Sequence, residues 1–202
     1  MKGVGTLRKG GGSMARHRIV ELVLPPINFE REASDPDRWW ATGADLLAAA
    51  ALIWPQVSRG LDRVGFTIVK SLRPEQAAQI YEPLRYRGPF FLLAGLAVEN
   101  CLKAVIVGRM KRSNETLAAI LATVVGGQHR LLPLCAKANI ALADRERELL
   151  NRLTMYVQWA GRYPVATTKK RTVGELATKV DDLENVHAFL GRVGQEYKSL
   201  KS

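Results

Sequence analysis

Apolar positions recur along most of this chain at steps of three and four, the spacing of helices with one buried face. Ser34-Asp35-Pro36-Asp37 reads as a start signal, with Asp35 as N-cap and Pro36 at the first helical position. The spacing predicts a helix over 36–53 that Trp54-Pro55 ends, and a second from Pro74 to residue 86 with a kink at Pro83. Residues 56–73 between them suit a short strand and a helix end equally. Gly88-Pro89 opens the most apolar stretch, FFLLAGLAVENCLKAVIVGRM. Phe90, Ala94, Ala97, Cys101 and Val105 follow helical spacing there, and Leu93, Leu96, Leu102 and Ile106 cover the other sides. A helix apolar nearly all round belongs at the centre of a bundle. Further helical turns are expected over 114–125, a short helix over 129–138, and a longer one over 144–160 that Gly161 and Pro164 stop.

The segment 161–171 reads as a loop, and Thr172-x-x-Glu175 after it as a capping box. Leu176, Val180, Leu183, His187, Leu190, Val193 and Tyr197 then step by four and three as the stripe of a core-facing helix. There is no internal repeat and little strand signal. The expectation is an all-α, up-and-down bundle of about five main helices spanning residues 34–200. Residues 1–33 are expected to form a flexible or extended arm: 1–13 are Gly-rich, Met14 offers an alternative start, and the β-like run from Ile19 is stopped by Pro25-Pro26.

Composition narrows the class. The 202 residues are 47% apolar and 24% charged, a globular balance that excludes a wholly disordered or low-complexity chain. No run of uninterrupted apolar residues approaches the ~18 of a membrane span. The leader has cations without an apolar region behind them, so it does not read as a secretory signal. Cys101 and Cys135 sit in apolar stretches with no CxxC and no His/Cys cluster, which argues for a reduced, cytosolic protein with neither a metal site nor a disulfide framework. No cofactor motif is present: the chain has no P-loop, no GxGxxG after a strand, no HExxH and no GxSxG.

The net charge of +11 is concentrated. Lys2, Arg8, Lys9, Arg16 and Arg18 lie in a leader without acids. Arg109, Lys111 and Arg112 form a second cluster, and Arg162, Lys169, Lys170 and Arg171 a third. Such clusters suit a polyanion, because each phosphate neutralised releases counterions. They also suit plain solubility.

Four positions have chemistry worth weighing. Glu99 and Lys103 are four apart on one face of the central helix, either as a structural ion pair or as the lining of a polar groove. His129 stands at a helix start, where it either caps backbone N–H groups or serves as a general base. Arg162 ends a helix, as a C-terminal cap or as a phosphate contact with Tyr163 as a stacking surface. His187 reads as a core or seam histidine, and Trp39, Trp40 and Trp54 as core rather than base platforms.

AGLAVENCLKA (94–104), QHRLLPLCAKANI (128–140) and WAGRYP (159–164), in that order and spacing, resemble the HEPN family. The likeness rests on Ala97, Glu99 and Lys103, on His129, Leu131, Leu132 and Leu134, and on Arg162, Tyr163 and Pro164, and it spans roughly residues 36–198. It implies a helical bundle, commonly a homodimer, acting on RNA or nucleotides in bacterial defence, toxin–antitoxin or stress systems, or partnering a nucleotidyltransferase. The ribonuclease branch of that family is implied to cut without metal through Arg-x(4–6)-His. This chain departs from that motif: Val124, Thr123 and Ala122 precede His129 at the required distances, and no Arg precedes His187 or His17 there either. The expected function is therefore an RNA- or nucleotide-binding module. Its contacts would come from Glu99, Lys103, Arg130, Tyr163 and the two downstream basic clusters. The alternatives are a divergent ribonuclease using His129 with Arg162 or Arg130, and a nucleotidyltransferase or antitoxin partner subunit.

Overall fold

The computed structural model describes residues 28–65, 75, 85–125, 129–160 and 178–202. Within them the chain forms seven α-helices and no strand: α1 (Phe29–Ala33), α2 (Pro36–Gly65), α3 (Arg87–Arg112), α4 (Leu117–Val124), α5 (Leu131–Lys137), α6 (Asp144–Met155) and α7 (Asp182–Ser199). A π-helical turn, Tyr156–Ala160, prolongs α6. The expected all-α bundle is what the chain builds.

The helix starts follow local chemistry. Asp35 Oδ1 accepts from the Asp37 N–H at 3.0 Å, so Asp35 caps α2 with Pro36 as its first residue. Thr116 Oγ1 accepts from the Ala119 N–H at 3.3 Å to start α4. At α6 the Glu146 carboxylate accepts the Ala143 N–H at 2.9 Å.

α3 is the axis of the bundle. Every residue from Cys101 to Val107 is buried, two full turns with no face left to solvent. The helix is long and apolar enough to cross a bilayer, but most of it is buried among its neighbours. It packs against α2, α4, α5, α6 with its π turn, and α7. Two glycines permit the closest approaches. A Cβ on Gly43 of α2 would lie 2.5 Å from Cys101 Sγ and 3.0 Å from the Ala97 carbonyl oxygen, and one on Gly95 would lie 2.4 Å from Val157 Cγ2. Phe91 links α3 to the π turn by stacking on Tyr156, with ring centroids 4.7 Å apart.

α7 is clamped on both flanks. Arg152 of α6 and Asp182 form a buried two-pronged pair, with Nη1 2.8 Å from Oδ2 and Nη2 2.5 Å from Oδ1, and the Lys179 N–H adds a bond to Oδ2 at 2.7 Å. At the other end Trp40 stacks on Tyr197 at 4.8 Å, and Asp37 binds both the Tyr197 hydroxyl and Lys201. Lys201 and Tyr197 hold the Asp37 carboxyl below its usual range, and burial together with the Asp37 bond pushes Tyr197 up to about 12.

Three expectations are corrected. α2 runs through Pro55 to Gly65 instead of ending at residue 53. Pro55 is on the exposed side, so the lost hydrogen bond faces water. Trp54 and Val57 on either side of it are buried, with Trp54 4.6 Å from the Phe90 ring, and this packing outweighs a proline cost of about 3 kcal/mol. Residues 29–33 of the expected extended arm are helical, because Asn28 Oδ1 caps the Arg31 N–H at 3.0 Å. His187 points to solvent: Leu190, Val193 and Tyr197 are buried as the expected stripe has them, but Val186 is buried in place of His187, and Val180 is exposed as well. Residues 187 and 186 are 100° apart on a helix, and spacing alone does not choose between them. The Thr172–Glu175 box, Leu176 and most of the 74–86 helix lie outside the described residues.

Gly43→Ala should lower stability by about 1–3 kcal/mol through overpacking. Gly191→Ala on α7, where a Cβ meets nothing within 4 Å, should raise it by about 0.5–1 kcal/mol. Urea denaturation midpoints of the two variants check the contrast; equal shifts would remove the close α2–α3 contact as a constraint.

Candidate functional site

α3 is so apolar that its two buried charges stand out. Glu99 and Lys103 are one turn apart, with Lys103 Nζ 2.8 Å from Glu99 Oε1 and both side chains at most 10% exposed. Lys103 Nζ also lies 4.8 Å from the centre of the Trp39 ring, a cation–π contact from α2. Trp39 is fixed in turn, its Nε1–H donating to the Ala33 carbonyl at 2.8 Å. The second oxygen of Glu99 accepts from His129 Nδ1 at 2.9 Å. Thus Trp39, Lys103, Glu99 and His129 form one continuous line of contacts from α2 through the core helix to the start of α5.

His129 enters this line through its backbone. Its φ of 51° is left-handed, shared among non-glycine residues only with Asn114 and Asn139 in the described residues. The chain turns there into α5. His129 does not cap that helix: the N-cap is Arg130, without a side-chain bond, and the Leu131 N–H is taken by Thr154 Oγ1 at 3.2 Å. The capping role is replaced by a bond to a buried carboxylate. The imidazole remains 40% exposed, and its Nε2 has no hydrogen-bond partner among the described residues. In the neutral ring Nδ1 carries the proton donated to Glu99, so Nε2 offers its lone pair outward. In the protonated ring Nε2 is a donor to an anion.

Arg130 is exposed and lines an open groove of about 380 Å³ with Leu132, Pro133, Asn151, Thr154 and Gln158. It sets a cation beside His129 in the chain, next to a surface of amides, a hydroxyl and small apolar patches. The other basic residues are elsewhere. Arg109 follows Glu99 by ten positions, or about 15 Å along a helix, and is paired with Glu196. Arg112 Nη1 donates to the Ser199 carbonyl at 3.3 Å, and Lys111 is exposed beside Lys201 in a separate groove. This cluster is therefore a second surface, not part of the His129 site. Arg162, Tyr163, Lys169, Lys170 and Arg171 lie outside the described residues.

Other chemistries find less support. Burial pushes the Cys101 and Cys135 thiols up to about 12, which removes thiolate character. No three His, Cys, Asp or Glu side chains gather as metal ligands among the described residues.

Sequence reasoning missed two features. Trp39 was assigned to the core and is also the partner of Lys103. The Arg152–Asp182 pair is the other, although Arg152 falls between Leu149, Leu150 and Leu153 on the buried face of α6, where an unpaired cation would be costly. Comparison of the chain with protein families, with curated proteins and with solved structures found no match.

Glu99→Gln leaves Lys103 buried without a counter-charge and should cost about 3–5 kcal/mol of stability. Adding Lys103→Met should return most of it. A double-mutant cycle by chemical denaturation measures this; additive losses would mean the two charges are not coupled.

Proposed function

We propose that this chain is an RNA-binding bundle of HEPN-like type, which grips a sugar–phosphate segment at His129 and Arg130. The observation that carries the reading is the His129–Glu99 bond. A buried carboxylate holds the imidazole by Nδ1, leaving Nε2 toward solvent, and the next residue is an exposed Arg. Phosphate and 2′-hydroxyl groups are the ligands that use both a fixed imidazole and a guanidinium. The basic excess of the chain supplies long-range attraction for a polyanion.

Fluorescence anisotropy with single-stranded RNA tests this. Affinity should fall steeply with added salt, and Arg130→Ala should reduce the slope of log affinity against log salt by about one. His129→Ala should weaken binding about tenfold, the scale of one hydrogen bond to a charged group. No binding at low salt would end the proposal.

A second reading, a divergent endoribonuclease, is favoured by the same bond. A histidine oriented through Nδ1 by a carboxylate is the arrangement that presents Nε2 as a general base to a hydroxyl. Here His129 would take the ribose 2′-hydroxyl proton while Arg130 stabilises charge on the adjacent phosphate. RNA incubated with the protein in EDTA should then be cut, and His129→Ala should abolish cutting at RNA concentrations that saturate binding. Intact RNA with the wild-type protein leaves binding alone.

A further inference from the structure

A second pocket, of about 380 Å³, opens between α1 and α2 on the Trp39 side of the buried line of contacts. We infer that it is a subsite for one unpaired nucleobase, stacked on Phe29 and Trp39 with the Asn100 amide at its polar edge; this rests on the RNA-binding reading above. Phe29 is 59% exposed, a large apolar ring left in water at the start of a five-residue helix. It makes no ring contact with any described residue. The helix that carries it is nevertheless fixed: Asn28 caps it, Arg38 pairs with Glu32 at 2.8 Å, and Trp39 bonds the Ala33 carbonyl. The fold therefore holds an exposed aromatic ring and an indole in the lining of one pocket, with no ring contact to Phe29 among the described residues, and such rings are what proteins use to stack single-stranded bases.

The polar edge of the pocket is equally defined. Asn100 Nδ2 donates to the Leu96 carbonyl at 2.7 Å. That carbonyl accepts only, so the amide orientation is settled, and Oδ1 and the second Nδ2–H are left over. An acceptor beside a donor can meet the polar edge of any base, so the subsite holds a base first by its flat face and then by its edge. Thr42 adds an exposed hydroxyl at the rim. The Glu32 carboxylate at the mouth is neutralised by Arg38, so it does not repel an incoming phosphate chain.

Short oligo(A), oligo(C) and oligo(U), together with AMP and UMP, should be titrated against the full chain. Oligo(A), whose purine stacks most strongly, should bind roughly tenfold tighter than oligo(U). Phe29→Ala should erase that gap and Phe29→Trp should keep it, while Asn100→Ala should weaken all three oligomers. Phe29 is exposed, so its replacement leaves the core intact. Equal binding of all three oligomers, unchanged by Phe29→Ala but weakened throughout by Arg130→Ala, overturns the base subsite and leaves RNA binding standing. If no oligomer binds, the RNA reading fails, and AMP decides the pocket: AMP binding lost in Phe29→Ala supports it, and no AMP binding overturns it. A change of oligomeric state in Phe29→Ala with nucleotide affinity untouched assigns the pocket to a second copy of the chain and likewise overturns the inference.

Discussion

The bundle is organised around one electrostatic problem: two charges, Glu99 and Lys103, sit in the middle of a helix buried on every side. Removing them from water costs several kcal/mol per ion, repaid only if each charge finds good partners. α3 cannot supply these alone, because an (i, i+4) pair satisfies one oxygen of the carboxylate and one face of the ammonium. The rest comes from outside: the Trp39 ring of α2 covers Lys103, and the imidazole of His129 occupies the second oxygen of Glu99. Solving the burial of the pair thus fixes where α2 and the start of α5 must lie. It also places one ring, His129, half in the core network and half in solvent.

Much of this is legible in the residues and some of it is not. The all-round apolarity of residues 90–107 already implies a central helix, and the (i, i+4) spacing already pairs Glu99 with Lys103. Asp35 and Pro36 mark the start of α2 correctly because capping is local chemistry. The stop at Pro55 is misread because a proline's cost is local while the Trp54–Phe90 contact that overrides it is not. His129 reaching Glu99 is invisible for a similar reason. It depends on a left-handed backbone and on two positions thirty apart in the chain folding together. A histidine before a helix looks like a cap when only its neighbours in sequence are considered.

Charge shows the same gap between counting and placing. The sequence presents Arg109, Lys111 and Arg112 as one basic patch. In the fold Arg109 is neutralised by Glu196, and Arg112 is turned onto the last carbonyls of α7, where a cation offsets the negative helix end. Arg152 is no surface cation at all, being locked on Asp182 in the core. On the proposed reading, the net charge draws a polyanion from a distance. What it meets on arrival is set by the smaller number of cations not already committed, and among those described Arg130 is the one beside a fixed imidazole.

The two sites share one scaffold. Trp39 forms a wall of the α1–α2 pocket and touches Lys103; Lys103 holds Glu99; Glu99 holds His129. Each link is a side chain on, or bonded to, α3, whose burial leaves it little freedom to shift. A site built on packed helices keeps its groups within tighter limits than one built on loops. The spacing between the Phe29–Trp39 pocket and the imidazole is therefore a property of the core, not of the surface. On the proposed reading, a flexible single strand would adapt its backbone between two such fixed points: a flat apolar slot edged by the Asn100 amide, and an imidazole beside a guanidinium. The buried ion pair that joins them costs stability in isolation, and what it contributes is that fixed separation.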